Sequence, residues 1–243
     1  MTISAAIVII GNEILSGRTA DTNINFIAKH LTEIGIQLKE VRIIPDSREK
    51  IIAVIRELSP LYNYVFTTGG IGPTHDDITS EAVSAAFNQK YALHPEAYKM
   101  LKDGYASKGE DLNPAREKMA YMPENAKLID NHISAAPGFI IENVYVLPGV
   151  PYIMQDMFIK LIPTLKHGQK VLSKALNLMI GESFIASKFE ALQNDYPTVE
   201  MGSYPFLVGE KHATSLVLRS DDHQALEEAY SKLSILFEQI DKA

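Results

Sequence analysis

Residues 67–79, Thr67-Thr68-Gly69-Gly70-Ile71-Gly72-Pro73-Thr74-His75-Asp76-Asp77-Ile78-Thr79, gather the residue types that handle a phosphate. Gly69, Gly70 and Gly72 let a backbone turn tightly and approach a ligand, and the N–H groups at the start of the helix that follows favour an anion. Thr74 places a hydroxyl in the same loop. Asp76 and Asp77 stand beside this cradle and would repel a phosphate unless a divalent cation (Mg²⁺, Mn²⁺ or Co²⁺) neutralised them. The alternative is that one of the two caps the helix and complements its dipole. Two common phosphate loops fail on spacing. No Gly-Lys-Ser/Thr follows, and a GxGxxG begun at Gly70 meets His75 where its last glycine belongs. His75 is either a general acid or an exposed polar residue.

Three further segments are candidates for the same site. Gly11 and Glu13 lie in the loop after an apolar run at residues 5–10, on the edge that carries the glycine loop. Asp21 and Asn23 either hold the ligand or its metal, or serve the next helix, where Asp21 or Thr22 is a good N-cap. Pro148 and Gly149 belong to a turn sequence in which Gly149 can come close to a ligand. The seven histidines show no HExxH spacing, no GxSxG elbow is present, and the absence of cysteine excludes thiolate chemistry and disulfides.

The elements that must position these residues follow from periodicity. Residues 5–10 form a continuous β-branched run, the pattern of a strand buried on both faces. Ile24, Ile27, Ala28, Leu31 and Ile34 recur at helical spacing and Gly35 follows as a C′ residue. A second strand at 37–44, a helix capped by Ser47 and a third strand at 64–68 complete a βαβαβ alternation. It predicts a mostly parallel sheet with helices on both faces and ligands at the strand carboxyl ends. Helices are expected at 95–101 and 114–119, a hairpin turning at Glu142-Asn143, and a helix opened by Pro151.

A proline, a glycine and several polar residues at 163–170 mark a boundary, giving domains at 1–168 and 169–243. The second reads as a smaller α+β unit: a strand at 175–179, a helix at 183–192, strands at 199–203 and 214–219, and a terminal helix striped by Leu226, Ala229, Tyr230, Leu233, Phe237 and Ile240. The chain has 243 residues, 46% hydrophobic and 22% charged, with net charge −7, values of a globular protein and unfavourable to non-specific nucleic-acid binding. No signal peptide or membrane span is read, so a cytoplasmic protein is expected.

The succession Gly11-Asn12-Glu13-Ile14-Leu15, Asp21-Thr22-Asn23, residues 67–79, Ala136-Pro137-Gly138-Phe139 and Leu147-Pro148-Gly149-Val150-Pro151 closely resembles the molybdopterin-binding (MoaB/Mog-like) domain as found in the CinA, competence/damage-inducible, family. The resemblance covers residues 1–168 and implies a three-layer α/β/α fold. Gly181-Glu182-Ser183, residues 199–205 and residues 214–219 are similar to the small KH-type domain that follows in that family, although Gly181-Glu182-Ser183-Phe184 is no GxxG loop and no RNA binding is expected. The family also implies a homodimer or other homo-oligomer. Full-length members continue into an amidohydrolase domain that deamidates nicotinamide mononucleotide, an activity expected to be absent from a chain ending at Ala243.

The resemblance further implies metal-dependent, K⁺-assisted cleavage of the diphosphate in ADP-ribose or a similar nucleotide. Asp21, Asn23, Asp76 and Asp77 would hold metal and diphosphate, and residues 69–72 would support the phosphates. Two other functions are expected as alternatives: binding or adenylylation of molybdopterin, and a regulatory module that binds a nucleotide without catalysis.

Overall fold

Strand β1 (Ile3–Ile10) lies second in a six-stranded sheet in the computed structural model, which describes residues 3–238. Its alternate side chains feed two cores, because successive Cβ atoms point to opposite faces of a sheet. Ala6, Val8 and Ile10 pack with Ile51 and Ile55 of α3 (Arg48–Leu58), Val83 of α4 (Thr79–Ala86) and Leu101 of α5 (Pro95–Ala106). Ala5, Ile7 and Ile9 pack with Ile27 and Leu31 of α2 (Asn23–Glu33) and with Met154 and Phe158 of α7 (Pro151–Leu161). Helices on both faces make the three-layer α/β/α arrangement. Phe158 is fully buried with its ring centroid 5.2 Å from that of Phe66, and burial of such a side chain contributes about 1.5–3 kcal/mol.

The strand order is β2-β1-β3-β8-β7-β6, with β2 (Ile36–Ile44), β3 (Tyr64–Thr68), β6 (Lys127–Ile129), β7 (Gly138–Ile141) and β8 (Val144–Leu147). β2, β1, β3 and β8 are parallel, and β7 alone runs against the other five. The β7–β8 hairpin turns at Glu142-Asn143 without a glycine: Glu142 itself takes φ +50°, and Asn143 donates to the carbonyls of Ser59 and Tyr62. Ser47 caps α3 through its hydroxyl, and Gly35 takes φ +74° at the end of α2. A one-turn helix α1 (Asn12–Leu15) follows β1, where a loop is expected from sequence. The pair β4 (Tyr91–Leu93) and β5 (Tyr121–Pro123) flanks α5, and the expected helix at 114–119 is a short α6 (Pro114–Glu117) continued by a 3₁₀ turn.

Chain contacts divide the protein into Met1–Gly168 and Gln169–Ala243. The second unit is an antiparallel sheet ordered β10-β11-β9, built from β9 (Leu172–Leu178), β10 (Glu200–Val208) and β11 (Lys211–Ser220). α8 (Ala186–Asp195) and α9 (His223–Glu238) bury Leu216 and Leu218 under Phe189, Leu192, Leu226 and Leu233. The strands outrun the expected 199–203 and 214–219 because a two-residue turn at Gly209-Glu210, with Gly209 at φ +62°, keeps the ladder paired to its end. The expected helix from 183 opens as a 3₁₀ turn and becomes α-helical at Ala186. Ile240, placed in the terminal stripe from sequence, lies outside the described residues. Among the described residues no helix is long and apolar enough to cross a membrane.

Candidate functional site

The carboxyl ends of the parallel strands β1, β3 and β8 converge on one cavity of about 480 Å³. Its polar lining comes from the loops that leave these strands, from the end of β2, and from the β6–β7 connection. Gly69, Gly70, Gly72, Thr74, Asp76, Asp77, Glu13, Pro148 and Gly149 line it. Gly11, Asp21 and Asn23 do not.

The glycines are required by position. Gly69 has φ +102°, and a Cβ there would stand 2.1 Å from the Ile10 carbonyl oxygen. Gly70 has φ +69°, and its Cβ would stand 2.2 Å from the Thr79 hydroxyl. That hydroxyl donates to the Gly69 carbonyl at 3.0 Å and the Thr79 N–H to the Gly70 carbonyl at 2.9 Å, so the loop is bolted to the start of α4. The carbonyls thus turn inward. Among the described residues no group accepts from the N–H of Gly70, Ile71 or Gly72. Consecutive free N–H groups beside left-handed residues form a concavity suited to an anion.

Neither aspartate caps α4. Asp77 instead closes its own loop: Oδ2 accepts from the Thr74 N–H at 2.8 Å and stands 2.6 Å from Thr74 Oγ1, which is 2.5 Å from Asp76 Oδ1. The Asp77 carboxylate lies over Gly72, where a Cβ would be 2.7 Å from Oδ2. A single hydroxyl proton serves two carboxylate oxygens here, a crowding that a cation would relieve. The hydrogen bond from Thr74, joined by its own backbone N–H and by the charges of His75 and Lys118, holds the Asp76 carboxyl below the ordinary aspartate range. Lys118 Nζ donates to the Thr74 carbonyl. The His75 side chain is 98% exposed and stays 4.0 Å from Asp76.

Glu13, Asp46, Asp76 and Asp77 put four carboxylates around the cavity, and no lysine or arginine lines it among the described residues. Asp46 accepts from the Asn12 N–H at 2.9 Å, satisfying the first turn of α1. Glu13 folds back over Gly11, where a Cβ would meet its carboxylate at 2.6 Å. Asp21 Oδ1 accepts from the Ile24 N–H at 2.8 Å, the capping reading of the two available from sequence. Asn23 donates to the Gly149 carbonyl at 2.9 Å, so it shapes the loop after β8 from outside the cavity. Among the described residues no group of three or more His, Cys, Asp or Glu side chains could hold a metal. The donors fit a divalent cation that would take oxygens of Asp76, Asp77 and Thr74 and would complete its shell from water and a phosphate ligand, as Mg²⁺ commonly does.

One wall of the cavity comes from residues outside the motifs legible in the sequence. Asn131 and Ser134 also line the cavity, from the β6–β7 connection. Asn131 is 3% exposed, and Ala135 takes φ +63°, which costs an L residue about 1–2 kcal/mol. Its Cβ sits on Gly104 of α5, where a second Cβ would be 2.2 Å away. The available signal was an asparagine three residues before a serine in a turn, a pattern that bonds its own backbone.

Residues 6–167 match the family model described as "Probable molybdopterin binding domain", and residues 170–241 match that described as "FAD synthase, middle domain". The second match replaces the KH-type domain expected from the resemblance; the Gly181-Glu182-Ser183-Phe184 turn lacks the second glycine of a KH loop. A relative from Archaeoglobus fulgidus is 38% identical over 199 residues, covering 82% of this chain and 84% of its own. One from Clostridium botulinum, carrying the provisional name competence-damage inducible protein, is 36% identical over 208 residues, 80% of this chain. This chain spans about half of that relative, the match covering 50% of its length. The crystal structure of "the protein CinA with unknown function" from Thermoplasma acidophilum is 33% identical, covers 66% of this chain and 98% of its own, and has a TM-score of 0.61. With more than half of its length in the first match, the chain belongs to the molybdopterin-binding domain family, among its CinA-like members.

Proposed function

We propose that the cavity binds a nucleotide diphosphate together with a divalent cation and hydrolyses its P–O–P bond, with ADP-ribose as the representative substrate. The observation that carries this reading is that Gly70, Ile71 and Gly72, whose N–H groups have no acceptor among the described residues, line one cavity with four carboxylates, and no lysine or arginine among the described residues lines it. An anion alone would be repelled by the carboxylates and a cation alone lacks ligands, so the two suit the site together.

Asp76, Asp77 and Thr74 would hold the cation, which when bound would neutralise phosphoryl oxygens and polarise phosphorus. The N–H groups of Gly70, Ile71 and Gly72 hold the oxygens on which charge grows as the bond breaks. A water oxygen bonds to one phosphorus, the bridging P–O bond breaks, and the water's proton leaves with the products, AMP and ribose 5-phosphate. Asp21 stays with the helix it caps. The test is product formation from ADP-ribose, FAD and NAD with Mg²⁺, Mn²⁺ or Co²⁺, with and without K⁺. AMP from ADP-ribose supports the reading; tight binding without product under every condition would make the protein a nucleotide-binding module.

The family match favours a second reading, molybdopterin binding. A pterin phosphate suits the same N–H groups, and its ring suits the wall of Ile71, Met119, Val150 and Ile153. Pterin fluorescence that copurifies with the protein, combined with no turnover of nucleotides, would favour it over the hydrolase.

A further inference from the structure

The Asn131 side chain uses every hydrogen-bonding position it has on one turn. Its Oδ1 accepts from the N–H groups of Ile133 at 3.0 Å and Ser134 at 3.1 Å. Those two donors fix which end of the amide is oxygen. Nδ2 therefore faces the other way and donates to the Ala136 carbonyl at 2.8 Å and to Ser134 Oγ at 2.6 Å. Because Nδ2 can only donate, Ser134 Oγ must accept, and its own proton points elsewhere. Among the described residues nothing accepts that proton. Ser134 lines the cavity, so a hydroxyl whose proton is left uncommitted by the Asn131 amide stands in its wall.

Thr19 brings another hydroxyl to the lining, so Ser134 is distinguished by the turn that holds it. The Thr74 hydroxyl is committed to the two aspartates, and the Asn131 amide is committed to its turn. The turn is also rigid: Asn131 is 3% exposed, and Ala135 is held in a left-handed conformation with its Cβ seated on Gly104. Strained backbone kept in place by its surroundings marks sites where a group must be aimed.

We infer that Ser134 is a ligand-binding residue, aimed by Asn131 as a positioning residue, and that it donates to the second phosphoryl group of a diphosphate whose first is held by the N–H groups of Gly70, Ile71 and Gly72. This rests on the diphosphate reading of the site. It makes the β6–β7 turn the element that separates diphosphates from monophosphates, since a monophosphate satisfies the glycine loop and leaves Ser134 idle.

Calorimetry with Mg²⁺ tests it, using ADP-ribose and AMP as ligands. Ser134→Ala weakens ADP-ribose binding about tenfold or more and AMP binding less than about twofold, and Ser134→Thr, which keeps the hydroxyl, restores ADP-ribose binding. Asn131→Asp keeps the two acceptor bonds but captures the Ser134 proton; it weakens ADP-ribose binding as Ser134→Ala does, and the double variant is no weaker than either. Equal loss for AMP, or none for ADP-ribose, overturns the inference, and Ser134→Ala decides this even where Asn131→Asp fails to fold. Wild-type binding without turnover removes the hydrolase reading and leaves the inference standing. Turnover unaffected by Ser134→Ala does the reverse, and failure of the wild type to bind ADP-ribose overturns both.

Discussion

The side-chain amide of Asn23 donates to the carbonyl of Gly149 at 2.9 Å, fastening the first residue of α2 to the loop after β8. Gly149 in turn abuts Gly69: a Cβ on Gly149 would lie 3.3 Å from the Gly69 Cα. A helix packed on one face of the sheet thereby sets the spacing between two loops of the cavity. Asn23 is 3% exposed, and its Oδ1 has no partner among the described residues. Asn23→Ala leaves the Gly149 carbonyl without its donor and is expected to cost about 1–3 kcal/mol in urea unfolding. Asn23→Asp is expected to cost more, because a carboxylate then faces that carbonyl. Wild-type stability in the aspartate variant would show that the amide proton is not what holds the loop.

Glycine substitutions separate backbone strain from crowding. Gly109 has φ +72° and open space around its missing Cβ, whereas Gly69 has φ +102° and the Ile10 carbonyl oxygen 2.1 Å from that position. Gly109→Ala is expected to cost about 1–2 kcal/mol and Gly69→Ala roughly 3 kcal/mol or more in guanidinium unfolding. Equal costs would mean that the β1 and β3 loops are not in contact as described.

Acid titration tests the Thr74 cluster. The folded Asp76 carboxyl is lowered, chiefly by the Thr74 hydrogen bond, so its contribution to stability is present above the ordinary aspartate value of about 3.9 and is lost as pH falls through the lowered folded value. The Asp76 side chain is 65% exposed, so solvent screens that contribution and the effect on unfolding is small. Thr74→Val is expected to move the Asp76 carboxyl carbon titration upward, toward the ordinary value, in an NMR pH series. An unchanged midpoint would assign the shift to another group.

Much of this architecture was legible in the sequence. The β-branched run of β1, the stripe of α2 and the Ser47 cap are local signals that tertiary packing reinforces. Strands β4, β5 and β6 were not legible, since three residues carry no measurable alternation. The hairpin at Glu142-Asn143 was, although its positive φ falls on a glutamate that long-range bonds to Asn143 keep in place. In the site, spacing drew attention to the glycines and Asp76-Asp77, but it could not choose between ligand and cap for Asp21, whose Oδ1 accepts from the Ile24 N–H at the start of α2. Asn131 and Ser134 escaped because their meaning depends on a cavity wall that only the β6–β7 pairing creates.

The central claim is that the glycine loop and the Asp76-Asp77 pair act together on a diphosphate, and Asp77 is the residue common to both, lying over Gly72 and bonded to Thr74. The most direct measurement is AMP release from ADP-ribose with Mg²⁺, Mn²⁺ or Co²⁺ for the wild type and Asp77→Asn, alongside circular dichroism melts of both. The account predicts metal-dependent AMP release by the wild type and a loss of about 10²-fold or more in a folded Asp77→Asn protein. Metal-dependent release at the wild-type rate from folded Asp77→Asn would contradict it.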